Sequence, residues 1–260
     1  MAEDDALWGD PSVLATLEEL HAAQAALKTY DDVLRTPLLR SWPVGEHKIS
    51  LKLESLQTTG SFKIRGMRYK LHASDVERLR SAGVVTLSAG NAGRAVSYLG
   101  QVMGYNAKVF MPETAPDDRK VMMESMGATV IKVPGSKLLD AVAECIAVEN
   151  RILVHPFDDV ELIRGHASCG LEILEDEPDA DVVVVCCGGG GLLVRPAGWN
   201  RVSPPSNCGV CIVNAGRCGC GREALRFSGA RGRGRARRRP VHGPIQRSRQ
   251  GGVVPKRWRD

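Results

Sequence analysis

The chain has 260 residues, of which 43% are hydrophobic, and this is enough for one globular protein of one or two lobes. Its formal net charge of +5 conceals an abrupt change in composition. Residues 1–193 contain 19 Lys plus Arg against 28 Asp plus Glu, whereas residues 194–260 contain 16 against 2. The excess of positive charge is therefore confined to one segment, and it does not predict a nucleic-acid partner.

The basic tail, residues 194–260, differs from ordinary globular sequence. It contains 15 Arg, half of the eight cysteines and little aliphatic periodicity after Val213. Its cysteines match no usual structural zinc spacing, so we expect no metal site there. We expect the tail to be disordered, or to be a GC-rich coding region translated in a wrong frame. A comparison of the reading frames around codon 193 would test the second hypothesis.

The N-terminal part bears on location. Met1 is followed by Ala-Glu-Asp-Asp rather than by a basic segment and an apolar core, and the chain has no apolar span of about 18 residues. We therefore expect a cytoplasmic protein with no membrane partner. Its non-tail cysteines show no framework spacing and are expected to be reduced: Cys145, Cys169, Cys186 and Cys187.

The first predicted element is an amphipathic helix within residues 11–29, followed by a strand at Lys48–Glu54 after the connection through Thr36-Pro37. Short apolar strands then alternate with helices. The predicted strands are 84–87, 107–111, 128–133, 152–154 and 181–187, and the predicted helices are 92–103, 116–126, 136–150 and 160–175. This alternation predicts parallel strands with helices on both faces of the sheet, so the fold class is α/β.

Three loops stand out because each lies where α/β proteins place ligands, beyond the carboxyl end of a strand or at the start of a helix. The first carries Lys63 within Gly-Ser-Phe-Lys-Ile-Arg-Gly, which places the amine at a predicted helix start. The positive end of the helix and partial burial both lower an amine pKa, as a Schiff-base lysine requires. A lysine that is only a solvated surface charge is the ordinary alternative.

The other two loops are suited to anions. Residues 88–94, Ser-Ala-Gly-Asn-Ala-Gly-Arg, open a predicted helix directly after a strand, where backbone N–H groups form an anion-binding nest. Residues 188–191 are four successive glycines after the strand 181–187, so the backbone can approach a dianionic group closely. Either loop alone would be interpreted as a capped or flexible turn. Together with Lys63 they indicate a site.

The segment Glu54–Met67 resembles the cofactor-lysine signature of the serine and threonine dehydratase family, a group of fold type II pyridoxal-phosphate enzymes. The other loops and a His-Pro-Phe-Asp-Asp segment follow in the family's order, so the resemblance covers about residues 30–193. It implies a two-domain fold like that of the tryptophan synthase β chain, with three-layer αβα lobes and mostly parallel sheets. Residues 1–80 and 158–193 would belong to the large domain, which is expected to be incomplete, and residues 81–157 to the small domain.

The resemblance also implies roles for individual residues. Lys63 is expected to carry pyridoxal 5'-phosphate and then to act as the base at the substrate α-carbon. Phe62 is expected to support the cofactor ring, with core packing as an equal alternative. The expected substrate loop is Ser88, Ala89, Gly90, Asn91 and Ala92, with Asn91 also contacting the cofactor, and the expected phosphate loop is Gly188, Gly189, Gly190, Gly191 and Leu192.

Some positions depart from the family pattern. Ala92 stands where members commonly have His, and Gly165-His-Ala-Ser168 replaces a common Gly-Gln-Gly-Thr. His155 and His166 are expected to be structural. The tail matches neither the family residue that bonds the pyridine nitrogen nor the carboxylates that bind a divalent cation in several members, and we expect no metal ligands.

The implied activity is β-elimination from L-threonine or L-serine, which gives a 2-oxo acid and ammonia. One alternative is a serine racemase of the same fold, with Ser88 as a second acid and base group if the alignment places it so. Another alternative is a truncated, non-catalytic product that retains part of the cofactor site. The expected partner is a small amino acid, and a homodimer is expected if the large domain is complete.

Overall fold

A computed structural model describes residues 15–44, 47–180, 182–187, 189–192 and 209–214. Its α-helices are α1 (Leu17–Leu27), α2 (Lys63–His72), α3 (Val76–Ala82), α4 (Asn91–Met103), α5 (Asp117–Glu124), α6 (Leu138–Glu149) and α7 (Val160–Asp176). Its strands are β1 (Leu38–Val44), β2 (His47–Lys52), β3 (Val84–Leu87), β4 (Ala107–Pro112), β5 (Thr129–Val133), β6 (Ile152–Leu153), β7 (Val182–Cys187) and β8 (Gly209–Asn214). In these ranges no helix combines the length and apolar character that a membrane crossing needs.

The largest sheet has the order β5-β4-β3-β6, and all of its strands are parallel. Alternate residues face opposite sides, as the period of two in a strand requires. Val84 and Val109 belong to the main core cluster with residues of α4, whereas Val85 and Phe110 pack with Val142 of α6. The predicted α/β class, with helices on both faces of a parallel sheet, is confirmed.

Local signals explain where the helices stop and start. Gly104 ends α4 with a φ of +74°, a left-handed conformation that glycine adopts at little cost. Asn150 ends α6 in the same region, with a φ of +53°. Thr16 and Glu19 form a reciprocal capping box at the start of α1. The strands and helices predicted between residues 84 and 187 lie within a few residues of their predicted bounds.

Two elements were not predicted. Strand β1 pairs antiparallel with β2, although it contains Pro43 and a register shift between Leu39 and Trp42. All of its residues after Leu38 are exposed, so it lacks the alternation of buried and exposed residues that identifies a half-buried strand. Helix α3 spans only seven residues and buries only Leu79, and a run this short does not establish a helical period.

The tail contains a further difference. Residues Gly209–Asn214 form β8, which pairs in parallel with β7 along its whole length. The sequence predicted no strand in this segment, and the expectation that the tail is disordered or translated in a wrong frame stays a prediction. The short apolar run Val-Cys-Ile-Val allows it to pair beside the Val-rich β7. Apart from these residues, the tail lies outside the described ranges, as do three of its four cysteines.

Candidate active site around Lys63

The candidate loops meet at the carboxyl edge of the main sheet. Strands β3 and β6 are parallel neighbours, so residues 88–92 after β3 and residues 154–157 after β6 leave the sheet on the same side. The Thr86 hydroxyl donates a hydrogen bond of 2.7 Å to the Val154 carbonyl and ties the two strand ends together.

The glycine loop packs directly against the segment after β6. A Cβ added at Gly189 would lie 2.3 Å from Cγ of Phe157, and one at Gly191 would lie 2.5 Å from the Phe157 carbonyl oxygen. Any other residue would therefore force these segments apart. Gly190 has a φ of +86°, which also favours glycine. Gly188 lies outside the described residues.

Lys63 is the first residue of α2, as predicted, and its side chain reaches the same edge. Its Nζ donates a hydrogen bond to the Pro156 carbonyl oxygen and lies 5.0 Å from the centre of the Phe62 ring. Burial lowers the pKa of Lys63 to about 8, and among the described residues no carboxylate forms an ion pair with it. About half of the amine is therefore uncharged at pH 8, a much larger fraction than for an ordinary lysine, and the uncharged form is the one that a nucleophile or a base requires.

Two histidine–phenylalanine pairs flank this amine. The rings of His166 and Phe62 are 4.9 Å apart, and those of His155 and Phe157 are 4.7 Å apart, both edge to face. Nδ1 of His166 accepts a hydrogen bond of 3.0 Å from the Gly66 N–H, and burial lowers the pKa of both histidines. The structural role expected for the two histidines stays a prediction. Sequence reasoning did not find that both rings lie beside the residues around Lys63.

Helices α2 and α7 cross closely beneath the site. A Cβ added at Gly165 would lie 2.6 Å from the Arg65 carbonyl oxygen and 2.8 Å from Cα of Gly66. One added at Gly66 would lie 2.5 Å from the Leu162 carbonyl oxygen. Two glycines therefore let the helix that carries Lys63 pack backbone to backbone against α7.

A buried ionic network anchors the same helix. The Arg65 guanidinium, whose side chain is 1% exposed, contacts both oxygens of Glu172 at 2.7 and 2.8 Å. It also contacts both oxygens of Glu54 at 2.8 and 2.9 Å, and Lys52 binds Glu172 at 2.7 Å. Burial opposes the charge of Glu54, but Arg65 outweighs it and holds the pKa of this carboxyl below its usual range. The sequence did not reveal this network, because its members lie far apart along the chain.

The loop that follows β3 is held by its own polar contacts. The Ser88 hydroxyl accepts a hydrogen bond of 3.1 Å from the Gly90 N–H, and Arg119 donates one of 3.0 Å to the Ala89 carbonyl oxygen. Asn91 is exposed at the start of α4, where it can contact a ligand. The Ala92 side chain is instead 3% exposed within the hydrophobic core, so this residue offers a ligand only its backbone.

These features fit pyridoxal phosphate. Lys63 provides a half-buried amine of lowered pKa, and Gly189 and Gly191 pack too closely against Phe157 to carry side chains, so their backbone is not covered by side chains of its own. A backbone of this kind can direct N–H groups at a phosphate. Residues 88–92 form a further polar loop at the same edge of the sheet.

Known proteins resemble this chain in sequence. An L-threonine ammonia-lyase of Thermotoga maritima is 42% identical over 178 residues, which are 66% of this chain and 43% of the relative. A catabolic L-threonine dehydratase of Staphylococcus aureus is 36% identical over 66% of this chain and 50% of its own length. The chain thus spans about half the length of the curated relatives it matches.

Solved structures also resemble this chain. The crystal structure of serine racemase from Dictyostelium discoideum has a TM-score of 0.69 and 32% identity, and the match covers 77% of this chain and 66% of that one. This likeness confirms the fold type II architecture that the resemblance predicted. The family described as pyridoxal-phosphate dependent enzymes matches residues 30–197, the part that holds Lys63, the Ser88–Ala92 loop and the glycine loop. The chain therefore belongs to the family of pyridoxal-phosphate dependent enzymes.

Proposed function

We propose that this chain catalyses the deamination of L-threonine or L-serine by β-elimination, which yields a 2-oxo acid and ammonia. The observation that carries the proposal is Lys63, a half-buried amine of lowered pKa at the start of α2, beside the ends of β3 and β6. The relatives named as threonine ammonia-lyase and threonine dehydratase support the choice of reaction and substrate. The proposed large domain is residues 1–80 and 158–193, and the proposed small domain, residues 81–157, contains the sheet β5-β4-β3-β6.

Each part of the site has a proposed task. Pyridoxal phosphate, when bound, supplies an electron sink for negative charge that develops at the substrate α-carbon. Lys63 holds the cofactor and, when freed, removes the α-proton, for which a pKa near the working pH is suitable. Phe62 supports the ring. The substrate carboxylate is held by the loop Ser88 to Ala92, of which Asn91 also contacts the cofactor, and the phosphate is held by Gly188, Gly189, Gly190, Gly191 and Leu192.

The absorbance spectrum of the purified chain with added pyridoxal phosphate tests this proposal, before and after L-threonine. We expect a cofactor band that requires Lys63, shifts when threonine is added, and is accompanied by 2-oxobutanoate. Lys63→Ala should abolish the band and the product. The absence of a band, or a band that survives in Lys63→Ala, would mean that the chain is a non-catalytic product in which the site does not work.

Serine racemisation is the second candidate, because the solved serine racemases of Dictyostelium discoideum and maize have TM-scores of 0.69 and 0.64 with this chain. Racemisation needs a second acid and base group on the other face of the substrate. The Ser88 hydroxyl accepts from the Gly90 N–H, which leaves its own proton available for transfer.

Chiral analysis of the amino acid recovered from L-serine separates the two candidates. A racemase would produce D-serine, with deuterium at the α-carbon when the reaction is run in D2O, and Ser88→Ala would lower the ratio of D-serine to pyruvate. Formation of pyruvate without D-serine would leave the dehydratase as the activity of this chain.

A further inference from the structure

His166, in α7, supports the turn of helix that bears Lys63. It has no exposed surface, and its Nδ1 accepts a hydrogen bond of 3.0 Å from the backbone N–H of Gly66. Gly66 is the fourth residue of α2, and the Phe62 carbonyl oxygen at the start of this helix accepts a hydrogen bond of 3.1 Å from the Arg65 N–H. The imidazole therefore provides an acceptor for the next N–H of the same turn.

Acceptance at Nδ1 determines the position of the imidazole proton. A neutral imidazole has one N–H and one acceptor nitrogen, so the proton of His166 must be on Nε2. Nε2 is buried and has no hydrogen-bond partner among the described residues. Because buried donors are almost always paired in folded proteins, this atom indicates an acceptor that the described part of the chain does not supply.

Two observations place this donor near the amine of Lys63. The His166 ring contacts Phe62, the residue before Lys63, with 4.9 Å between ring centres. Burial lowers the pKa of His166 well below its usual value, and the charge of Lys63 acts in the same direction. The ring thus remains neutral beside the amine and keeps its single proton on Nε2.

We infer that His166 is a positioning residue of the Lys63 site, which fixes the first turn of α2 through Nδ1 and offers its Nε2–H to an oxygen acceptor bound beside Lys63. The acceptor is an oxygen of the cofactor or of a water molecule enclosed with it. Gln, which commonly stands at this position in the resembled family, also combines an acceptor with a donor. The inference rests on the proposed role of Lys63 as the cofactor-bearing residue.

Nitrogen-15 NMR of the full chain, labelled in its histidines, tests the donor. His166→Gln identifies the His166 signals, which are compared before and after pyridoxal phosphate is added. We expect a protonated Nε2 whose signal shifts on loading. A cross-peak from its proton to water would identify water as the acceptor, and a shift without that cross-peak would identify a cofactor oxygen. An Nε2 signal that does not respond to loading would overturn the inference.

The pH dependence of Lys63 labelling in the cofactor-free chain, measured by mass spectrometry, tests the positioning. The unchanged chain should give an apparent pKa near 8. His166→Gln should retain this value, because it keeps an acceptor for Gly66. His166→Ala should raise it toward the ordinary value and weaken cofactor binding about tenfold, the usual effect of one lost hydrogen bond.

His21→Gln is the matched control, because His21 is exposed on α1, and it should change neither measurement. A folded His166→Ala chain with an unchanged pKa of Lys63 would also overturn the inference. If that variant does not fold, the NMR experiment on the unchanged chain decides. Neither measurement requires turnover. If both results are as expected but the chain forms no product, that outcome would count against the proposed reaction and not against the role of His166.

Discussion

At the scale of single residues, the site depends on an amine that the fold keeps out of water. Lys63 has a backbone carbonyl oxygen as its hydrogen-bond partner and an aromatic ring beside it, but no carboxylate among the described residues to stabilise its charge. Burial thus disfavours the protonated form, which lowers the pKa to about 8. This property has a cost in stability that can be measured without any cofactor.

Lys63→Met should stabilise the cofactor-free chain at pH 7. The pKa of Lys63 falls from 10.5 in its ordinary state to about 8 in the folded chain, so between these values the unfolded chain binds more protons. The destabilisation is complete below pH 8 and disappears as the pH rises through 10.5. We expect a gain of roughly 1–3 kcal/mol at pH 7 and almost none at pH 10.5.

Urea unfolding at both pH values measures this gain. Lys137→Met is the control, because the Lys137 side chain is 69% exposed, and it should have little effect at either pH. An equal gain at the two pH values would mean that the titration of Lys63 is not its origin.

At the scale of elements, the position of Lys63 is set by the packing of α2 against α7. The two glycines allow close contact, and the Arg65 network joins α2 to α7 and to the 3-10 turn Glu54–Leu56. Gly66 and Arg65, the residues of α2 that make these contacts, lie within the first four residues of the helix. A change in either should therefore affect stability and cofactor binding together.

Gly165→Ala should separate the two helices. Its Cβ would meet the Arg65 carbonyl oxygen at 2.6 Å, and backbone cannot move aside as the end of a flexible side chain can. Overpacking of this kind costs about 1–3 kcal/mol, and cofactor affinity should fall as Lys63 is displaced. Gly135→Ala is the matched control, since nothing lies within 4 Å of its added Cβ. Equal urea midpoints for the two variants would contradict the proposed contact.

Arg65→Met should destabilise the chain by about 3–5 kcal/mol, because it removes the guanidinium that pairs with the carboxylates of Glu54 and Glu172 and leaves Glu172 only its contact with Lys52. Arg65→Lys should recover only part of this loss, since an ammonium cannot bind two carboxylates bidentately. Arg80→Met removes an arginine whose side chain is 69% exposed and should cost almost nothing. Denaturant unfolding of the three variants at pH 7 provides the comparison.

At the scale of the whole molecule, the proposed ligand site and a group of ion pairs lie at opposite ends of the strands of the main sheet. The proposed site occupies the carboxyl ends of the strands. Near the other end, Glu149 pairs with Lys108 and with Arg151, and Arg151 contacts the Val84 carbonyl oxygen at 3.2 Å. Hydrogen bonds from Lys108 and Arg151 lower the pKa of Glu149 to about 2. Stability and cofactor binding should therefore be separable by mutation.

Glu149→Gln should reduce stability at neutral pH without changing cofactor affinity. A carboxylate of lowered pKa contributes stability that is present above its ordinary pKa of 4.5 and is lost as the pH falls toward 2. The difference from the unchanged chain should thus be roughly 1 kcal/mol or less at pH 7 and should vanish near pH 2. Urea unfolding between pH 7 and pH 2 measures this difference in the free energy of unfolding. Glu144→Gln is an exposed control on the same helix. A difference that persists at pH 2 would contradict the assigned cause.

Much of the fold could be predicted from the sequence, because the signals involved are local. Apolar runs of strand length identify β3 to β7. The glycine that ends α4 marks the end of one of the helices between these strands. Strand β1 escaped prediction because its side chains are exposed, so its stability derives from pairing with β2. Strand β8 escaped because it is one short apolar run in a segment that is otherwise rich in Arg, Gly and Cys.

The sequence by itself determined the family, the cofactor and the lysine at the helix start, because a cofactor site of this kind requires particular residue types at fixed positions in its loops. Only the tertiary structure decided what surrounds that lysine. The Pro156 carbonyl oxygen, the His166 ring and Glu172, a partner of Arg65, come from α7 and from the segment before it, about a hundred residues away. Their effects on protonation depend on distance and burial, which arise when α2 packs against α7 and which no local pattern records.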